Sequence, residues 1–373
     1  MIKDKTMKIL FVSGNLSDGG AQRVISVVAS GLAEKGHDVN LLLFSRNEKE
    51  YPINEKVKIT AIGRNFAEYS KLSGYARTMF IRKYLKELKP QVAVGFLEGG
   101  YGLFMASIGM RFPKVASARI DPAILLRKKG SRAILDRIWF RAADAVVLQT
   151  NRQKQHAKDT GWKNQTVIAN PVSDNALATE PHFYDRPCRR IVMAGRLEKQ
   201  KNYPMAFAAM ERIREKYPDA TLDVFGKGSQ EAELQNMIAE KGLQNNIFLR
   251  GWTQNTVKEY EQSDIYVMCS DFEGMPNALM EAMAAGLPCV STDCDTGPED
   301  LITDGESGYL VPVGDAEALT ARVLRIMDMP LQERKMMGEK AKQVMAAEFD
   351  KGTITGQWEA LLHRLVDGRK AVR

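Results

Sequence analysis

Two glutamates eight positions apart, Glu273 and Glu281, lie in a stretch able to hold them rigidly. The apolar run 265–269 before them reads as a buried strand. Glu273-Gly274 then make a sharp turn, and Pro276 is expected at the first helical position, where its missing N–H costs nothing. Residues 277–285 are mostly good helix formers, and Gly286-Leu287-Pro288 stops them. Glu273 thus falls in the turn at a helix N-terminus, with Glu281 about two turns along. Free N–H groups and partial positive charge at such a terminus suit phosphate. A carboxylate beside them accepts hydrogen bonds from hydroxyls. Together they suit a ligand carrying both groups, a sugar nucleotide. On spacing alone, a helix cap and a solvated helix face account for the same residues.

Three further loops bear groups of the same kind. Gly195-Arg196-Leu197-Glu198-Lys199-Gln200-Lys201-Asn202 follows the apolar run 191–194 and precedes a helix from about 204 to 216. Arg196 and Lys201 flank that turn, where they could pair with phosphate oxygens, arginine bidentately and lysine as a point charge, although spacing alone supports only a solvated turn. Residues 14–20, with Gly19 and Gly20, form a glycine-rich turn between a strand at 7–13 and a helix with apolar Val24, Ile25, Val28 and Leu32. That is a phosphate cradle, although not the dinucleotide fingerprint. Asp121 ends the loop Ser117-Ala118-Arg119-Ile120-Asp121-Pro122, where it either orients or deprotonates an acceptor or caps the next helix. His37, His156, His182 and His363 do not cluster, which argues against a metal site or a histidine-based triad. No metal is expected at Asp293-Cys294-Asp295 either, although it mimics an Asp-x-Asp motif.

The elements that must position these groups alternate. Strands are expected at 7–13, 39–44, 57–62, 92–96, 115–118, 145–148 and 167–169, with helices between them. After a linker at 172–190, further strands are expected at 191–194, 222–226, 247–251, 265–269, 289–292 and 308–311. Such alternation predicts doubly wound parallel sheets, with ligands beyond the carboxyl ends of the strands. Those ends carry 97–100, 117–122, 149–151 and 170–171.

Glu273-Gly274-Met275-Pro276-Asn277 through Glu281 to Pro288 resembles the signature of retaining glycosyltransferase family 4, which has the GT-B fold of two Rossmann-like domains facing each other across a cleft. Gly195-Arg196-Leu197 with Lys201-Asn202 resembles the family's Gly-Arg-Leu…Lys-Asn motif. Gly19-Gly20-Ala21-Gln22-Arg23 resembles its Gly-Gly-Ala-Glu-Arg loop, with Gln22 replacing the acid. The family histidine is missing from the loop at 117–122, which is similar instead to the Ser-Glu-Arg-Asn-Asp-Pro subset. The resemblance implies an acceptor domain at 1–180, a nucleotide-sugar domain at 187–350 and a final helix at 351–373 crossing back to the first. It implies that Glu281 holds ribose hydroxyls, Glu273 a donor-sugar hydroxyl, and Gly274, Met275, Pro276 and Asn277 further donor atoms. Arg196, Lys201 and the Gly19-Gly20 amides would neutralise the donor diphosphate, and Gly226 and Gly228 would admit the base. The implied reaction is transfer of a hexose or N-acetylhexosamine from a UDP-sugar, without cofactor, to a glycan or undecaprenyl-diphosphate-linked glycan. A silent sugar-nucleotide-binding subunit and a GT-B-like epimerase are the rival readings.

Composition agrees with a two-domain soluble chain: 373 residues, 44% hydrophobic and 27% charged. The net charge of +7 is uneven, since residues 1–180 hold 29 Lys and Arg against 16 Asp and Glu. Two basic clusters with interleaved apolar residues, one at Arg77, Arg82, Lys83, Lys86 and Lys89 and one at Arg127, Lys128, Lys129, Arg132, Arg137 and Arg141, suit an anionic membrane surface, or a solvated helix face. No nucleic-acid partner is expected. Cys188, Cys269, Cys289 and Cys294 have no paired spacing and read as buried thiols of a reducing compartment. Without an 18-residue apolar run or a signal-peptide core, a cytoplasmic protein, peripheral on the inner membrane face, is expected.

Overall fold

The computed structural model describes residues 6–371 except 18, 49, 97, 128, 180–185 and 254, together with all but a few side chains of these. Asp18, Leu97, Lys128, His182, and the side chains of Glu98 and Arg132 therefore lie outside the described residues. The chain divides into two compact units, Met1–Pro171 with Lys351–Arg373, and Val172–Asp350.

Among the described residues the first unit has seven strands, β1 (Lys8–Ser13), β2 (Asp38–Ser45), β3 (Lys58–Gly63), β4 (Val92–Phe96), β5 (Lys114–Ser117), β6 (Ala145–Leu148) and β7 (Gln165–Val167). They form one parallel sheet in the order β3-β2-β1-β4-β5-β6-β7. Its connecting helices are α1 (Gly20–Glu34), α2 (Phe66–Lys71), α3 (Gly74–Leu88), α4 (Glu98–Ala106), α5 (Pro122–Arg127), α6 (Ser131–Ala142) and α7 (Asn151–His156). The second unit holds α8 (Asp174–Ala178), β8 (Arg190–Ala194), α9 (Tyr203–Lys216), β9 (Thr221–Phe225), α10 (Glu231–Glu240), β10 (Ile247–Gly251), α11 (Thr256–Glu261), β11 (Ile265–Met268), α12 (Asn277–Ala284), β12 (Cys289–Thr292), β13 (Tyr309–Val311), α13 (Ala316–Asp328) and α14 (Leu331–Glu348). Its parallel sheet runs β10-β9-β8-β11-β12-β13. The last helix, α15 (Lys351–Ala371), returns to the first unit.

The central strands of both sheets are covered on both faces, which is why they read as apolar runs rather than alternating ones. Ile9, Leu10, Phe11 and Val12 are all fully buried. One face of the first sheet packs on α1 and α15, and Trp358 of α15 stacks on Phe96 at 5.9 Å between ring centroids. The other packs Ile81, Leu85, Leu103 and Trp139. In α1, a Cβ at Gly31 would stand 2.5 Å from Thr355 Oγ1, so α15 lies closer than a larger residue would allow.

Three expectations change. The boundary falls at Pro171, before residue 180, because Ser173 caps α8 through the Ala176 N–H at 3.2 Å and α8 packs on α12 and α14. Strand β7 ends two residues earlier than the expected 167–169. The histidines are not all dispersed. His37 and His363 stand 5.6 Å apart, because α15 brings Glu359 and His363 over the start of β2. His37 Nδ1 accepts from the Met7 N–H at 3.1 Å, which leaves Nε2 to donate to Glu359 Oε1 at 2.9 Å. Both ring nitrogens of His37 are thereby engaged in pinning α15 to the sheet.

Candidate active site

In the second unit the strand order reverses between β8 and β11, the place where ligands gather in open parallel sheets. The loops leaving these two strands carry Arg196 and Lys201 on one side and Glu273 on the other. Lys201 Nζ donates to Glu273 Oε1 at 2.6 Å, with the side chains 17% and 10% exposed. Three neighbouring bonds lace the loops: the Asp271 N–H donates to the Gln200 carbonyl (2.8 Å), Gln200 Nε2 to the Phe272 carbonyl (2.7 Å) and Asn202 Nδ2 to Asp271 Oδ1 (2.7 Å). Asn202 adopts a left-handed conformation, φ 46° and ψ 50°, which asparagine tolerates, and this lets the short 3-10 turn Lys199–Lys201 pass directly into α9. Sequence reasoning named Arg196, Lys201 and Glu273 and missed Gln200 and Asp271. Their one signal was adjacency to those motif residues at strand ends.

Pro276 is the N-cap of α12 rather than its first helical residue, and its carbonyl accepts from the Met280 N–H at 3.1 Å. The shift moves the first turn of the helix, whose N–H groups point out of its N-terminus, to Asn277, Ala278 and Leu279. Gly297 approaches from the loop after β12 at φ 104°, and a Cβ there would stand 2.6 Å from Pro276 Cδ. Thr296 Oγ1 donates to the Glu273 carbonyl. The turn Glu273-Gly274-Met275-Pro276 is thus held from both sides, with Met275 and Pro276 buried and Gly274 and Asn277 half-buried. Glu281, one face along α12, accepts from Thr256 Oγ1 at 2.9 Å. Thr256 opens α11, and nothing in its local sequence singled it out.

Arg196 is exposed, and among the described residues its side chain makes no hydrogen bond or ion pair. Its charge is felt by Glu198, whose carboxyl is held below its ordinary value chiefly by hydrogen bonds from Ser229, and it lies in the same short loop as Lys201. The loop is shaped by glycines for an internal reason. A Cβ at Gly226 would lie 1.8 Å from the Gly195 carbonyl oxygen, and one at Gly228 would lie 2.3 Å from that of Leu197. Backbone packing already requires both glycines, without any approaching base. Tyr203, driven well above its ordinary pKa chiefly by burial, donates to the Gly195 carbonyl at 3.0 Å and fixes the loop from below. Burial also pushes all four cysteine thiols up, Cys188 and Cys294 to about 12, so none is a ready thiolate.

The remaining residues singled out from sequence lie in the first unit. Gly19, at φ 142°, is the N-cap of α1, and Gly20 is its first residue. Asp121 is 3% exposed; its Oδ1 accepts from the Ala123 N–H at 2.9 Å and lies 2.9 Å from His156 Nδ1. Gly99 and Gly100 serve packing, since a Cβ at Gly99 would lie 2.2 Å from the Val12 carbonyl oxygen and one at Gly100 2.4 Å from Trp139 Nε1.

The model for glycosyltransferase family 4 matches residues 18–176, and that for glycosyl transferases group 1 matches residues 184–344. The chain belongs to the group 1, family 4 glycosyltransferases. Among similar glycosyltransferases is the Campylobacter jejuni GalNAc-alpha-(1->4)-GalNAc-alpha-(1->3)-diNAcBac-PP-undecaprenol alpha-1,4-N-acetyl-D-galactosaminyltransferase, 27% identical over 95% of this chain and 98% of that protein. The amylovoran biosynthesis glycosyltransferase AmsD of Erwinia amylovora is 26% identical over 95% of this chain and 99% of its own. The Anabaena HepE structure in complex with UDP and glucose superposes with a TM-score of 0.79 at 18% identity, over 96% of this chain and all of that one. The two parallel-sheet units of this glycosyltransferase are those of the GT-B fold. Among its described residues no helix is long and apolar enough to cross a membrane.

Proposed function

We propose that this glycosyltransferase moves a hexose or N-acetylhexosamine, with retention, from a UDP-sugar to a hydroxyl of a lipid-diphosphate-linked glycan. The observation that carries this reading is the Lys201–Glu273 pair at the strand ends that precede α9 and α12, with exposed Arg196 in the same loop as Lys201. The site offers cation and amide for a diphosphate and carboxylate for hydroxyls. Glu281, oriented by Thr256, takes the ribose hydroxyls, and Glu273 takes a hydroxyl of the donor sugar.

In the reaction the bond between the sugar's anomeric carbon and the diphosphate breaks while the acceptor oxygen bonds to that carbon from the same face. The acceptor proton passes to the departing phosphate oxygen, which accounts for the lack of a dedicated nucleophile in the reading. Charge growing on the diphosphate is met by Arg196, by Lys201, which Glu273 holds in place before the reaction, and by the amides at the start of α12. The site therefore supplies its own positive charge, and this reading assigns no role to a metal. The Gly19-Gly20 amides at the start of α1 offer a second anion site of the same type in the first unit. Asp121, whose Oδ1 is committed to Ala123 and His156, is assigned to orienting the acceptor side rather than to proton transfer. The named activity of the Campylobacter jejuni relative supports a lipid-diphosphate acceptor, and the UDP bound in HepE supports the donor base.

Calorimetric titration with UDP, GDP and ADP tests the reading. UDP is expected to bind, and Glu281→Ala and Lys201→Ala are each expected to weaken it about tenfold, about 1.4 kcal/mol. Absence of binding by all three nucleotides would sink the donor-site assignment in favour of a silent subunit.

A further inference from the structure

Arg119 is a cation without a counter-ion. It follows β5 and reaches toward the end of β7, where Nη1 donates to Asn170 Oδ1 at 2.7 Å. Its guanidinium lies over the Phe96 ring, 4.7 Å from the centroid. Nε and Nη2 are shut off from solvent and have no hydrogen-bond partner among the described residues. These two nitrogens form one edge of the guanidinium, the fork that matches a carboxylate or phosphate with two parallel bonds. The carboxylate two residues on, Asp121, is already committed to Ala123 and His156. Burial alone pulls the Arg119 pKa down to about 9. A folded chain that keeps this edge empty carries an uncompensated desolvation cost.

Other polar groups at the same strand ends are in the same condition. Gln149, 4% exposed at the end of β6, donates through Nε2 to the same Asn170 Oδ1 at 3.0 Å, and its Oε1 has no partner. Ser117, 3% exposed at the end of β5, has an unpartnered Oγ. Two N–H donors in a fork, a carbonyl acceptor and a hydroxyl are thus left buried and unpaired at the carboxyl ends of β5 and β6. The fork asks for an oxyanion, and Gln149 Oε1 asks for a hydroxyl donor beside it.

We infer that these strand ends form a receptor for one sugar-borne oxyanion of the acceptor, a carboxylate or a phosphate flanked by hydroxyls, anchored by Arg119. The inference rests on the transferase reading for its assignment to the acceptor, because the side chains read as donor-binding, Arg196, Lys201, Glu273 and Glu281, stand in the second unit. Its chemistry fits either the carboxylate of a uronic acid in the glycan or the phosphate on the first sugar of a lipid-linked chain.

The experiment titrates the full-length protein with glucuronate, glucose 1-phosphate and inorganic phosphate, and with UDP in parallel. Glucuronate or glucose 1-phosphate is expected to saturate and to bind more tightly than inorganic phosphate, and whichever does so names the source. Arg119→Met is expected to weaken that probe about tenfold, about 1.4 kcal/mol, and to leave UDP binding unchanged. Arg119→Lys, which keeps the charge and loses the fork, is expected to give an intermediate loss. The ligand-free thermal midpoint of Arg119→Met is expected to match or exceed that of the parent chain, since an unpaired buried charge is gone. A purely structural arginine would lower it. The inference is overturned if neither sugar probe saturates, if Arg119→Lys and Arg119→Met bind as the parent does, or if Arg119→Met fails to fold. Failure of UDP alone would sink the transferase reading, while an Arg119-dependent oxyanion site would stand without it.

Discussion

Lys201 and Glu273, 72 positions apart in sequence, share a hydrogen bond of 2.6 Å at the point where the second sheet reverses its strand order. Each is the other's counter-charge, and each is also a group that the proposed reading assigns to the nucleotide sugar. A donor diphosphate arriving at Lys201 therefore shares or displaces a bond already made.

That pairing predicts a coupled response. Lys201→Met or Glu273→Gln alone strands a poorly solvated partner and is expected to cost about 2 kcal/mol, below the about 3–5 kcal/mol of a fully buried pair. The double variant is expected to recover part of that loss, giving a coupling energy of about 1 kcal/mol in a mutant cycle read by urea unfolding. Strict additivity of the two single losses would show that the ion pair contributes nothing.

Glu281 and Thr256 predict a positioning effect. Thr256→Val removes the 2.9 Å bond to Glu281 Oε2 while keeping the shape. It is expected to weaken UDP about threefold, less than Glu281→Ala, because the carboxylate persists with more freedom. Calorimetry with UDP and with its 2′-deoxy analogue checks the role. If Glu281→Ala penalises both nucleotides equally, Glu281 does not bind the ribose 2′-hydroxyl.

The return of α15 predicts a stability effect distant from the site. Trp358 is fully buried on Phe96, and its Nε1 has no acceptor among the described residues. Trp358→Ala is expected to cost about 3–5 kcal/mol. Trp358→Phe is expected to cost less than half as much, since the unpaired N–H leaves with the indole. Thermal unfolding separates the two, and equal losses would mean that the indole nitrogen is satisfied in solution.

How far these features were legible from sequence follows from where the information lies. Strands such as Ile9–Val12 and 265–268 were readable because a sheet covered on both faces demands unbroken apolar runs. The loops bearing Arg196 and Glu273 were readable because charged and glycine residues interrupt those runs at strand ends. The pairing of Lys201 with Glu273 was not readable, because only strand order places β8 beside β11. His37, Glu359 and His363 were unreadable as a group for the same reason, since they meet only when α15 returns across more than 300 residues. Gly226 and Gly228 were legible as points of close approach, but not that the backbone of Gly195 and Leu197 crowds them, which only the fold shows.

The same α15 contact predicts a pH dependence. Burial pushes the Glu359 carboxyl up, while bonds from Lys35 and His37 outweigh it and hold the group below its ordinary 4.5. A carboxyl lowered in the folded state stabilises that state above its unfolded pKa and loses the contribution as pH falls through the folded value. The parent chain is therefore expected to lose stability below about pH 4.5 more steeply than Glu359→Gln. Thermal midpoints across about pH 3 to pH 7 check the sign. Parallel curves for the two proteins would show that Glu359 is not a source of the acid limb.

The basic face of the first unit carries the last prediction. On α3, Tyr75 and Met79 are 78% and 45% exposed one turn apart, with exposed Lys83 and Lys86 continuing the stripe. On α6, Ile134 and Ile138 are 55% and 44% exposed at the same spacing. Not every arginine of these clusters is available. Arg82 caps the Ala106 and Ile108 carbonyls at 2.9 Å, and Arg141 bonds the Thr160 carbonyl at 3.1 Å. The available lysines and apolar tips suit an anionic bilayer, where each basic residue near the surface contributes about 1 kcal/mol and apolar side chains add burial. The protein is expected to co-sediment with vesicles containing about one-third phosphatidylglycerol and to leave them in high salt. Tyr75→Ser with Met79→Ser, and separately Ile134→Ser with Ile138→Ser, distinguish the two helices by which pair weakens retention. Retention unchanged by both pairs, or equal on neutral vesicles, would show that these faces are solvated surface and that the acceptor is reached without them.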